Sequence, residues 1–340
     1  MTAAAVLGLA WPPAAPAQPP GAQVFGEIVF GSSAAALQPG LAVACPVLVP
    51  AQPWALRWQS AAPVLRGEAG GVSFAESGEL LFATISVDER AVADAARAAA
   101  AGSALEHAAR RAYEALFALL DARGHGKLLR VWNYVPRINE VEGGLERYRQ
   151  FNIGRQDAFA GAGRVLEGAV PAACALGVGD GALAIACLAS RRTPLAIENP
   201  RQVSAYHYPS AYGPRSPTFA RAALLRGEDK PLLFISGTAS IVGHRSLHVG
   251  DVVAQTHETF DNIEAVLAEC ARVAPEARYR VDELACVVYL RRAADLDAVR
   301  AVVEQRLGPR AQCTYVEADI CRADLLVEIE ASAGHPNLEA

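Results

Sequence analysis

Seven cysteines stand in this 340-residue sequence without a single Cys-x-x-Cys pair, and no apolar stretch runs uninterrupted for about 18 residues. The first absence removes a zinc or disulfide framework. Positions 45, 174, 187, 270, 286, 313 and 321 fall mostly inside apolar runs, which suits reduced core thiols in a cytosolic protein. The second absence leaves no helix able to span a bilayer, so no membrane association is expected. A surplus of positive charge is also missing. The 31 Lys and Arg are outnumbered by 36 Asp and Glu, for a net charge of -5, which argues against holding nucleic acid by neutralising phosphates. Met1 to Pro20 is rich in Ala and Pro, and Ala14 to Ala17 imitates a cleavage site. It lacks a basic leading region and prolines interrupt its apolar run, so residues 1–22 read as a flexible N-terminus rather than a signal peptide, and a cytoplasmic location is expected.

Metal and nucleotide signatures are equally scarce. His244 and His248 are four apart, but Gly243 and Gly250 surround them, so they share no helical face and no acidic cluster completes a site. No two-His-one-carboxylate pattern for iron is visible. Gly177-Val-Gly-Asp-Gly181 lacks the helix that a dinucleotide fingerprint requires, and reads as the turn of a hairpin joining strands 173–178 and 183–189. Neither a metal nor a cofactor is expected.

What is present is enough apolar residue, 52%, to bury a core in each of two domains. Short apolar runs at 24–30, 42–49 and 80–85, punctuated by Gly and Pro, predict strands. Ser103 and Glu106 form a capping box ahead of a helix with Leu105, Ala109, Ala112, Leu116, Leu119 and Leu120 on its apolar face and Gly124 at its end. A strand over 128–134 follows, then helical spacing over 145–159 with Tyr148, Phe151, Asn152 and Arg155 on a face too polar to be only core. Residues 198–218, rich in Pro, Tyr, Ser and Arg, have neither period and read as a long surface loop, the kind of element that often carries binding groups. The last third gives strand 232–236, helix 252–272 with Phe260, Ile263, Leu267 and Cys270 inward, strand 279–290, helix 296–307 closed by Gly308-Pro309, then strands 314–318 and 325–331. The fold class is α+β, a mixed sheet with helices on one face, and the first part reads as a degenerate copy of the same plan.

Ile235-Ser-Gly-Thr-Ala-Ser240, Val253-Ala-Gln-Thr-His-Glu-Thr-Phe-Asp-Asn-Ile263 and Leu326-Val-Glu-Ile-Glu-Ala331 together resemble the YjgF/RidA fold over about residues 231–333. In that family a cleft carboxylate lies on the final strand, at the place of Glu328. Its deaminase members carry an arginine some fifteen residues earlier, where this chain has Cys313, which argues against imine deamination. Arg130-Val-Trp-Asn-Tyr134, Arg147-Tyr-Arg-Gln-Phe-Asn-Ile-Gly-Arg155, Ser204-Ala-Tyr-His-Tyr-Pro-Ser-Ala-Tyr-Gly-Pro-Arg215 and Ser236-Gly-Thr-Ala-Ser240 resemble the chorismatases over roughly 80–333. These include the 3-hydroxybenzoate synthases once labelled pteridine-dependent dioxygenases. The resemblance implies two YjgF/RidA-like, chorismate mutase-like domains, 23–165 and 166–340, the second catalytic. It also implies release of pyruvate from chorismate. YjgF proteins are usually trimers with clefts between subunits; two such domains in one chain would satisfy part of that contact internally, so a monomer without an obligate protein partner is expected.

Chorismate is a dianion, and arginine suits carboxylates because its planar fork binds both oxygens. Arg155 and Arg215 are the candidate anchors, with Tyr148 and Tyr212 as hydroxyl donors and Gly237 and Ala239 in the adjoining loop. Cleaving an enol ether requires protonating its methylene carbon, a task for a carboxylic acid still protonated near neutral pH. Alternation on strand 325–331 puts Leu326, Glu328 and Glu330 on one face. Glu328 is the expected acid, and Glu330 is expected on a solvated polar face. Cys321, seven residues before Glu328, could reach the same cleft. By the resemblance, cysteine here marks members that proceed to 3-hydroxybenzoate, and alanine marks those that release the dihydroxylated diene acid. Ala239 is a second candidate selector, glycine in some 3-hydroxybenzoate producers, and a subgroup makes both 3- and 4-hydroxybenzoate. Product identity stays open, as do a deaminase and a non-catalytic small-molecule binder on the same fold.

Overall fold

The computed structural model describes residues 7–10, 23–31, 36–93, 102–227, 230–308 and 312–335. Most of the N-terminal stretch 1–22 and Pro309 lie outside them. The regular elements described before residue 88 are all strands: β1 (Leu7–Ala10), β2 (Gln23–Phe30), β3 (Gly40–Val43), β4 (Val47–Val49), β5 (Trp54–Ser60), β6 (Leu65–Ala69), β7 (Val72–Ser77) and β8 (Leu80–Val87). The run predicted as one strand over 42–49 breaks at Cys45-Pro46, and its halves enter different sheets.

Helix α1 (Ala104–Ala122) starts at Ser103, whose hydroxyl accepts from the Glu106 amide at 3.2 Å, and the predicted apolar face is buried. After β9 (Lys127–Pro136) a short hairpin, β10 (Val141–Glu142) with β11 (Leu145–Glu146), leads into α2 (Arg147–Gly161). The two helices touch at Gly154, where a methyl group would sit 2.9 Å from the Glu106 carbonyl carbon and 3.1 Å from Ala109 Cβ. Then come β12 (Ala172–Val178), β13 (Leu183–Ser190), β14 (Leu195–Ile197), β15 (Ala222–Leu225) and β16 (Leu232–Thr238). A small hairpin, β17 (Ile241–Val242) with β18 (Arg245–Ser246), precedes α3 (Val252–Val273), whose first turn is capped by the Asp251 carboxylate on the Ala254 amide. The chain continues through β19 (Ala285–Leu290), α4 (Leu296–Leu307), β20 (Gln312–Glu317), β21 (Asp319–Ile320) and β22 (Val327–Ala333).

Two seven-stranded sheets carry the architecture, in the orders β21-β12-β9-β13-β8-β7-β6 and β14-β15-β16-β22-β19-β20-β4; a four-stranded sheet, β1-β5-β2-β3, accompanies them. Helices α1 and α2 pack on one face of the first large sheet, and α3 and α4 on one face of the second. The other faces of both sheets and the aromatic residues of the small one, Phe30, Trp54 and Trp58, share a central core with Trp132, Tyr134, Phe234 and Tyr289. The α+β class with helices on one face of each sheet is therefore as expected.

Two topological expectations are corrected. β12 and β13 do not form a hairpin: β9 lies between them, parallel to β12 and antiparallel to β13. Residues 129–136 of β9 are all buried, and a strand covered on both faces takes the middle of a sheet, while the four residues 179–182 can span the roughly 10 Å between strands two places apart. For the same reason the division at 165/166 cuts the first sheet, since β12 and β13 belong to it.

Candidate active site

On β22 alternation sends Val327, Ile329 and Ala331 to the helices and Glu328 and Glu330 to the central layer between the sheets. Glu330 is not on a solvated face; it is 4% exposed and ion-paired with Arg130 of β9. Glu328, 3% exposed, forms the floor of a cavity of about 310 Å³, a size suited to a small molecule.

The carboxyl of Glu328 fits because of a bulge. Between the pairs Ile235↔Ala331 and Thr238↔Ile329, strand β16 has one residue more than β22, placing Ser236-Gly237 opposite Glu330. Ser236 fixes the bulge by donating to the Ala220 carbonyl at 2.6 Å and accepting from the Ala173 amide at 2.9 Å. A Cβ on Gly237 would lie 2.7 Å from Glu328 Cδ and 3.1 Å from Cys174 Cβ, so the acid occupies the space a larger residue would fill. Burial, reinforced by the charge of Glu330 and opposed by Arg130, pushes the Glu328 carboxyl up to about 8. At neutral pH it holds a proton.

Cys321, Tyr148, Tyr212, Gly237 and Ala239 all line the same cavity. Burial pushes the Cys321 thiol up to about 12, helped by the charge of Glu328, which keeps it a neutral thiol rather than a nucleophilic thiolate. The Tyr212 hydroxyl lies 3.1 Å from His244 Nδ1.

Arg155 and Arg215 do not line it. Arg155 is buried behind the wall, its Nη2 donating to Asn152 at 2.9 Å and its guanidinium over the Phe151 ring. Arg215 is half exposed and sits 3.7 Å from Asp157, a surface ion pair. The cavity's cations are instead Arg149, Arg221 and Arg322. Arg221 donates to the Val203 carbonyl at 2.7 Å and to the Tyr208 hydroxyl at 2.9 Å; its buried Nε has no partner among the described residues. Arg322 lies over the Tyr212 ring at 4.2 Å and the Tyr208 ring at 5.1 Å, donates to the His244 carbonyl at 2.9 Å, and keeps a buried, unpartnered Nη2. Guanidinium groups in the lining suit a dianion. Arg322 directly follows Cys321 and could have been found from that adjacency; Arg221, in Phe219-Ala-Arg221, follows no spacing that sequence reasoning could use.

Among the described residues no group of three or more His, Cys, Asp or Glu is arranged to hold a metal ion, and no helix is long and apolar enough to cross a membrane. Cys313, where the deaminases carry arginine, packs on the helix side of its sheet, away from the cavity.

The family model described as chorismatase FkbO/Hyg5-like, N-terminal, matches residues 57–189. A 3-hydroxybenzoate synthase of Streptomyces hygroscopicus is 39% identical over 289 residues, covering 82% of this chain and 81% of that protein. The chain belongs to the chorismatase family. A chorismatase of Streptomyces rapamycinicus is 36% identical over 282 residues, with 80% of each chain covered. A chorismatase crystal structure superposes with a TM-score of 0.85 at 32% identity, over 98% of this chain and all of that one. The match of the chorismatase N-terminal model ends one residue before β13 does, at the point where the first sheet gives way to the second.

Proposed function

We propose that this chain converts chorismate into pyruvate and a hydroxybenzoate, 3-hydroxybenzoate first, with Glu328 as the acid. The observation that carries the reading is a buried glutamic acid, held protonated near neutral pH, at the floor of a cavity furnished with three guanidinium groups. Arg221 and Arg322 hold the two carboxylates of the substrate through charge-assisted bonds, and Tyr148, Tyr208 and Tyr212 frame its ring. Glu328 delivers its proton to the methylene carbon of the enolpyruvyl group, making an oxocarbenium ion. The neighbouring ring hydroxyl captures this ion, and its proton returns to Glu328. Breaking the ring C4–O bond with loss of the C3 proton then aromatises the ring, and the hemiketal left behind collapses to pyruvate and 3-hydroxybenzoate, with nothing added to the atoms of chorismate. If water captures the ion instead, the products are pyruvate and the diene diol.

Cys321 favours the aromatic outcome: a neutral thiol beside Glu328 excludes water from the oxocarbenium carbon more effectively than the smaller alanine would. Ala239, buried in the same wall, supports a second reading in which 4-hydroxybenzoate accompanies the 3-isomer. We also take the first structural unit to end near Ser190, and the free state of all seven cysteines supports a reducing, cytoplasmic setting.

The test is Glu328→Gln with chorismate and no added cofactor, following pyruvate by a coupled assay and ring products by chromatography. Turnover should fall by about 10²- to 10⁴-fold. Full turnover in the variant would remove Glu328 from the chemistry, and binding of chorismate by the unaltered protein without pyruvate would favour a binding protein.

A further inference from the structure

The reaction above makes no use of Glu330, although both oxygens of this buried carboxylate are held by other side chains. Its Oε2 is paired with Arg130; its Oε1 accepts from the Tyr289 hydroxyl at 3.0 Å and from Trp132 Nε1 at 3.3 Å. Arg130 is itself 1% exposed, stacked over the Trp132 ring at 5.0 Å, with Nη1 unpartnered. One buried cation from the first sheet thus faces two buried carboxyl groups from the same face of β22. A single guanidinium neutralises one of them, and two neighbouring carboxylates in a low-dielectric layer do not both ionise. The donors decide which does: three of them converge on Glu330.

We infer that Glu330 is a positioning residue for the acid, engaging Arg130 as the ionised partner so that Glu328 is the carboxyl left carrying the proton. This rests on the reading of Glu328 as the catalytic acid. The remaining titratable groups packed around the pair are neutral: the thiols of Cys174 and Cys321 and the hydroxyls of Tyr134 and Tyr289 are all driven upward by burial. On the cavity side Glu328 looks toward Arg221 and Arg322, with Glu146, Arg149 and Asp324 also in the lining. Burial is the first influence on its state, and behind it Glu330 and Arg130 are the charges that act on it, one raising and the other lowering its pKa.

The test is the pH profile of kcat in Glu330→Gln and in the double variant Arg130→Met/Glu330→Gln. With Glu330 neutral, Arg130 draws the charge onto Glu328, so the alkaline limb, near the value of about 8 set by Glu328, should move down by about one pH unit or more. The rate at neutral pH should drop about twofold for a move of one unit and roughly tenfold for a move of two, and recover on acidification, with KM little changed. Removing both charges should return the limb toward its original position. A purely structural role would lower the rate by the same factor at every pH, and that result, with Glu328→Gln still inactive, would overturn the inference while leaving the acid in place. Activity in Glu328→Gln would overturn the acid itself. Should Glu330→Gln fail to fold, infrared difference spectra of the unaltered protein against Glu328→Gln at neutral pH decide: the band of a buried protonated carboxylic acid should vanish in the variant, and its persistence would put the proton on Glu330 and refute the proposal.

Discussion

Adding one methyl group at Gly237 should disable the site without unfolding the protein. The new Cβ would lie 2.7 Å from Glu328 Cδ and 3.1 Å from Cys174 Cβ, where carbon atoms ordinarily rest at about 3.5–4.0 Å. Glu328 must therefore retreat by about 1 Å. Its neighbours in the buried layer leave little slack, and a displacement of that size in a reacting group costs about 100-fold in rate. The backbone at Gly237 is not in the left-handed region, so Gly237→Ala adds crowding without backbone strain, and overpacking of this kind costs about 1–3 kcal/mol of stability. Steady-state assays of pyruvate release should show kcat reduced by about two orders of magnitude with KM nearly constant, because the carboxylate anchors are untouched. Gly154→Ala is the matched control: there the methyl group meets the Glu106 carbonyl carbon at 2.9 Å between two helices, so the melting temperature should fall while kcat per folded molecule holds. A Gly237→Ala enzyme that turns over within about twofold of the parent would refute the claim that this glycine gives the acid its place.

Other outcomes follow from the same geometry. Arg322→Ala should raise KM for chorismate by about 10- to 100-fold, the worth of a lost charge-assisted bond, whereas Arg215→Ala, removing an exposed pair at 3.7 Å, should leave kcat/KM within about twofold; equal effects in steady-state assays would contradict the cavity assignment. Cys321→Ala should keep pyruvate release and shift the ring product toward the diene diol, read by chromatography, and an unchanged product would remove Cys321 from the partition. For Glu328 the folded value of about 8 lies above the ordinary 4.5, so the unfolded chain gives up this proton first. Stability from this group is full below 4.5 and declines as pH rises to about 8. Glu328→Gln, unable to ionise, should gain on the parent by on the order of a few kcal/mol across that window in denaturant titrations, and a difference independent of pH would refute it.

Where local chemistry decides, the sequence was legible. Helix α3 begins and ends within a residue of its predicted bounds because Asp251 caps it and its apolar stripe repeats cleanly. That Glu328 points inward from β22 was legible from the two-residue period and the family resemblance together. Partners brought from afar were not. Glu330 looks solvent-facing in its own strand, and only Arg130, 200 positions earlier, makes its burial tolerable. The β6–β7 hairpin escaped notice because β6 is exposed along its whole length and shows no alternation. Arg221 is placed by the pairing of β15 with β16, which no local pattern announces.

The two large sheets trade edge strands: β4, from the first fifty residues, closes the edge of the second, and β21, at residues 319–320, closes the edge of the first. On the ribosome this orders events. Every strand of the first sheet except its last is made before residue 191, yet that sheet waits for a segment made about 130 residues later, and the acid follows only eight residues behind it. A nascent chain therefore completes the first sheet only when nearly all of its sequence has been made. Each sheet thus depends for an edge on a strand from the far end of the chain.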